Sequence, residues 1–140
     1  MSLSGATISD VLLSISLVIV FAVIVSLMIA RRIRRSVEER WKLIQKSLAK
    51  KSSWKSAIIN ADKLLDEVLK KRRFKGKTMG ERLVSAQHEL TANDMVWFSH
   101  KLCNKIVYES TELSKTEVKR ALLGFWQALR DLGAFKKDNK

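Results

Sequence analysis

Reactive side chains are few in this chain. His100 stands three positions before Cys103, the lone cysteine. On a helix that spacing puts imidazole and thiol on neighbouring positions, the arrangement by which a base activates a thiolate. No third group that would orient the imidazole can be named from the sequence, and His88 falls on a different predicted helix. Asp62, Asp66 and Glu67 share a helix with Lys63 and Lys70, so solvated i, i+4 pairing accounts for them better than an acid and base pair of carboxylates. There is no glycine-rich phosphate loop and no metal-ligand spacing, and a single cysteine forms no internal disulfide. The expectation is a chain with no catalytic residues, no metal and no cofactor.

Charge is the second chemical resource. Lys and Arg number 27 against 14 Asp and Glu, a net charge of +13. Two concentrations stand out. Arg31, Arg32, Arg34 and Arg35 follow an apolar run and are placed to contact anionic lipid, each contributing about 1 kcal/mol near a charged leaflet. Lys70, Lys71, Arg72, Arg73, Lys75 and Lys77 surround one aromatic residue, Phe74. They suit either a solvated face held near an anionic surface or a polyanion such as RNA, with Phe74 available to stack on a base. Lys50, Lys51 and Lys55 add to the excess.

The apolar run extends from Val11 to Ala30 without a charge. Twenty helical residues at about 1.5 Å each span roughly the 30 Å hydrocarbon core of a bilayer. Only Asp10 carries charge before it and every basic residue comes after it, so the positive-inside rule places the carboxyl-terminal part in the cytoplasm and residues 1–10 outside. A cleaved signal peptide would begin with basic residues and end in small ones, whereas this run ends in Leu27, Met28 and Ile29. A single-pass protein of the inner membrane is expected, with anionic lipids as its first partners.

The chain beyond the run is long enough for one small domain. With no proline anywhere and no glycine between Ala6 and Lys75, an all-α fold is predicted. Ile33, Val37, Trp41, Ile44 and Leu48 make a narrow apolar stripe among basic residues, so residues 31–53 read as a basic amphipathic stalk that either lies on the lipid interface or docks on the domain behind it. Ser52 and Ser53 offer an N-cap for a helix with Trp54, Ala57, Ile58, Ala61, Leu64, Leu65, Val68 and Leu69 on one broad face. Thr78 with Glu81, and Ser114 with Glu117, have capping-box spacing, and Asn93 is the expected cap of a helix from Asp94 to about Tyr108. That helix should bury Val96, Phe98, Leu102 and Ile106, and Gly133 stands where the last helix should end. Residues 54–133 are thus predicted to form a four-helix bundle, succeeded by a basic tail at 134–140. Trp54, Trp97 and Trp126 suit core or interface positions.

The stretch from His100 to Glu109 resembles the signature helix of HEPN-type four-helix domains, in which Arg, commonly followed by Asn, then a polar residue, Ile, Ala and His recur. Asn104, Ile106 and Glu109 match, whereas Cys103 stands at the Arg position and Tyr108 at the His position. The upstream pattern from Ala57 to Leu65, continuing through Gly76, Met79, Gly80, Glu81, Arg82 and Leu83, is similar to bacterial proteins that carry an anchor ahead of such a bundle. In HEPN ribonucleases the Arg and His of two protomers meet across a dimer interface and act on the ribose 2′-hydroxyl and the phosphate. The resemblance implies a HEPN-like fold whose nuclease chemistry is lost with both side chains. It also implies a retained helix face around Cys103, Asn104, Ile106, Val107, Tyr108 and Glu109 that serves a homodimer or a partner protein in a membrane complex.

Overall fold

The computed structural model describes residues 7–136, so residues 1–6 of the expected outer segment and 137–140 of the expected basic tail lie outside the described residues. The described residues are all-helical, with no strand. Helix α1 (Ile8–Ser47) is followed by a short 3-10 turn (Lys51–Ser53), α2 (Trp54–Lys71), α3 (Met79–Ala86), α4 (Asn93–Tyr108) and α5 (Lys115–Asp131). The chain divides into two units, one ending at Ile33 and one beginning at Arg34.

In the first unit α1 opens on a reciprocal cap. The Thr7 backbone N–H donates to the Asp10 carboxylate at 3.0 Å while the Asp10 N–H reaches Thr7 Oγ1 at 3.4 Å. Every side chain from Thr7 to Arg32 is exposed, the run of Val, Ile, Leu and Phe included. This helix is long and apolar enough to cross a membrane. Ser14 and Ser16 donate to the carbonyls of Val11 and Leu13, both at 2.8 Å, which satisfies their hydroxyls within the helix.

The second unit holds the core. Ile58, Leu64, Leu65 and Leu69 of α2, Leu83 of α3, and Phe125 and Leu129 of α5 are fully buried, each stabilising the fold by about 1.5–3 kcal/mol. Helices α2, α4 and α5 pack on one another and α3 packs on α2. The tightest approach is at Gly124, where a Cβ would fall 2.6 Å from the Met95 carbonyl oxygen. The Ser99 hydroxyl sits at that crossing, 2.7 Å from the Met95 carbonyl and 2.8 Å from that of Ala121, and donates to one at a time. Val37, Trp41 and Ile44 of α1 are also buried in this unit. Trp41 meets Phe135 with ring centroids 6.0 Å apart, Arg40 pairs with Glu67 at 2.5 and 3.0 Å, and the Lys136 N–H donates to Glu38 at 2.7 Å. The apolar stripe is therefore covered by protein, one of the two arrangements its periodicity allowed.

Helix ends follow local chemistry with three departures from expectation. Ser114 and Glu117 form a full capping box, and Gly133 takes φ of 68° at the end of α5 with the Ala134 N–H on the Leu129 carbonyl. Thr78 caps α3 through the Glu81 N–H at 3.2 Å, although the Glu81 carboxylate accepts from Lys77 rather than from Thr78. Ser53 occupies the N-cap of α2 without a side-chain cap bond, because the 3-10 turn already runs into the helix. Asn93 is the first residue of α4, not its cap. Its side-chain amide donates to the Gln87 and Leu90 carbonyls at 2.9 and 3.0 Å and so ties the preceding loop. Arg73 closes α2 at φ of 62°, doing without glycine what Gly133 does for α5.

Candidate functional site

The signature stretch occupies the second half of α4, and its residues do not share one environment. Cys103 is 3% exposed. Burial pushes its thiol up to about 12, with the negative charge of Asp62 and a hydrogen bond to it adding to the shift. A thiol in that state is held away from the nucleophilic thiolate form near neutral pH. One turn earlier, His100 Nδ1 lies 2.8 Å from Asp62 Oδ1, with both side chains nearly covered, at 12% and 14% exposure. Asn104 is exposed, its Nδ2 3.4 Å from His100 Nε2. Beside this group stands Gly80 of α3, where a Cβ would lie 3.6 Å from the Trp97 ring and 3.9 Å from His100 Nε2.

Asp62 is thus the orienting group for His100 that sequence spacing did not reveal. The two are 38 positions apart. A signal existed: Asp62 adjoins Ala61 and lies near Leu65 on the apolar flank of α2, where a carboxylate needs a partner. Asp62 thus holds His100 through a hydrogen bond and lends its charge to the shift that favours the neutral Cys103 thiol. Among the described residues no cluster of three or more His, Cys, Asp or Glu is arranged to hold a metal ion.

The far end of α4 differs. Ile106 is half-buried, Val107 is 55% exposed and Tyr108 83% exposed, and Glu109 leaves the helix in extended backbone. Of the residues expected to build the core face of α4, Val96 and Leu102 are buried, whereas Phe98 and Ile106 are half-buried and Ser99 and Cys103 are buried instead. Phe98 is covered by the Arg120 guanidinium, 4.2 Å above its ring.

The carboxylates of α2 are not a solvated i, i+4 ladder. Asp66 does meet Lys70 at 2.7 Å, but it also receives Arg82 at 2.6 Å, and Arg82 is buried and donates to the Gly76 carbonyl at 2.7 Å. Burial pushes the Asp66 carboxyl up, yet hydrogen bonds from Lys70 and Arg82, with their charges, outweigh it and hold the group below its ordinary range. Glu67 is held low chiefly by its bond from Arg40.

The same contacts divide the basic cluster. Lys70 is taken by Asp66. Arg72 reaches Glu89 at 2.5 Å and the Leu132 carbonyl at 3.0 Å, and lies 6.0 Å from the half-buried Phe74 ring. Lys71, Arg73, Lys75 and Lys77 remain exposed. Arg31, Arg32, Arg34 and Arg35 are exposed as well. No family model matches the chain, and no curated protein and no solved structure is similar to it.

Proposed function

We propose that this chain is a membrane-tethered, non-catalytic docking protein built on a degenerate HEPN-like bundle. Helix α1 through Ala30 is the single-pass anchor in a bacterial inner membrane, with the amino terminus outside and the bundle in the cytoplasm. Arg31, Arg32, Arg34 and Arg35 contact anionic lipid at the inner leaflet. The end of α4 is the docking face, and its partner is a second copy or a protein of a membrane complex.

One observation carries this reading: Val107 and Tyr108 are the large apolar side chains that α4 leaves strongly exposed. An aromatic ring and a branched aliphatic side chain presented together are what an interface anchor requires. The two motif positions support a non-catalytic reading, since a buried thiol and an exposed phenol stand where the resemblance expects the cation and the general base. The full-length protein in detergent, weighed by light scattering together with whatever partner co-purifies, tests the docking face. Val107→Asp should remove the association while leaving helix content unchanged, and an unchanged assembly would reject the proposal. Ribonuclease assays of the same samples should stay at background.

A further inference from the structure

From Arg40 to Ala61 the chain contains six basic residues and no acid. Arg40 is neutralised by Glu67. The other five, Lys42, Lys46, Lys50, Lys51 and Lys55, are all exposed, and none forms an ion pair among the described residues. They follow one another along the end of α1, the reversal and the start of α2. Lys42 and Lys46 lie one turn apart on the side of α1 away from its buried Val37, Trp41 and Ile44, about 6 Å along the axis. Lys50 and Lys51 come next in the reversal, and Lys55 is in the first turn of α2. Within the second unit Glu39 is the one acid that precedes them on the exposed side of α1, because Glu38 is engaged by the Lys136 N–H.

We infer that this lysine face binds the sugar-phosphate backbone of a nucleic acid without reading its sequence. Its chemistry separates this ligand from two rivals. A helix lying in the interface would bury an apolar face, but the apolar side of this stretch of α1 is already covered within the unit, so a bilayer offers these lysines headgroup charge alone. A folded protein partner needs an apolar centre to its contact, and Leu43 is the only large apolar side chain strongly exposed on this segment. Trp54 is half-buried with its indole N–H on the Leu48 carbonyl at 3.1 Å, so no free ring is offered for base stacking. What remains is a set of flexible point charges, which suits phosphates spaced along a chain. The basic loop after α2 is the weaker candidate, because Asp66 and Glu89 already hold Lys70 and Arg72.

The test uses the full chain in phosphatidylcholine nanodiscs with a fluorescent mixed-sequence single-stranded RNA of about twenty nucleotides, titrated over a range of salt. Five phosphate contacts predict a slope of log K on log salt of about −3.5. Lys42→Glu, Lys46→Glu and Lys50→Glu together should lower affinity by at least about tenfold and flatten the slope, and the same three changed to Gln should show a smaller loss in the same direction. Lys71→Glu, Lys75→Glu and Lys77→Glu should lower it by less than about threefold. Equal losses from the two triple variants, or no RNA binding at about 50 mM salt, would each overturn the inference.

Discussion

Cys103 and Tyr108 stand five residues apart on one helix, at the two positions that the proposed HEPN-like reading sets against a catalytic Arg and His, and the protein treats them in opposite ways. Cys103 is sealed against α2 at 3% exposure beside Asp62, whereas Tyr108 is 83% exposed with no hydrogen bond to its hydroxyl among the described residues. The first position is absorbed into packing and the second left on the surface. On the proposed HEPN-like reading, loss of a catalytic pair leaves two different residues at the old site: one that stabilises the bundle and one that is free to meet something else. The packed half of α4 should answer to mutation through stability, and the exposed end through association.

The largest effect belongs at the packed half. Gly124→Ala would drive a methyl group onto the Met95 carbonyl and displace the Ser99 hydroxyl, so it should destabilise the second unit by about 2–4 kcal/mol in a denaturant melt. Asp62→Ala should come next. It strips the partner from a nearly covered His100, at a cost of about 1–3 kcal/mol, and His100→Ala in the same background should add little, because the two act as a unit.

A pH titration sharpens the same contrast. The Cys103 thiol is raised in the folded state, so the neutral form is favoured by folding. Its contribution is fully present below the ordinary thiol value of 9.0 and is lost as pH rises from there towards about 12. At pH 8 the folded protein should therefore react slowly with a maleimide and rapidly once unfolded. A thiol that labels at the rate of an unfolded one under native conditions would contradict the buried assignment. The smallest effect is expected outside α4. Arg73 holds a left-handed backbone at the end of α2, so Arg73→Gly should raise the midpoint by an amount equivalent to about 0.5–1 kcal/mol.

Much of the helical framework was legible because it is local. The Ser114 and Glu117 box, the Gly133 terminus and the apolar face of α2 each involve residues within a turn or two of one another, where periodicity and capping chemistry act directly. The helix ends that were misread have equally local causes: the 3-10 turn before Trp54 removes the need for a serine cap, and Asn93 spends its amide on the loop carbonyls behind it. Pairing at a distance could not be read. His100 with Asp62, Glu67 with Arg40 and Asp66 with Arg82 join residues 16 to 38 positions apart, and nothing in i, i+4 spacing names such partners. The same blindness hid the partner of Arg72 within the cluster from Lys70 to Lys77, Glu89 beyond α3, whereas the i, i+4 pairing of Lys70 with Asp66 was legible from spacing.

The proposed docking face at the exposed end of α4 is open to photo-crosslinking in the native membrane, with a photoreactive phenylalanine placed at position 108 and, as a control, at the exposed position 119. A discrete protein adduct at 108 that is absent at 119 and disappears with Val107→Asp is the predicted result. Equal labelling at the two positions, or none at 108, would contradict it and leave the end of α4 as solvated surface.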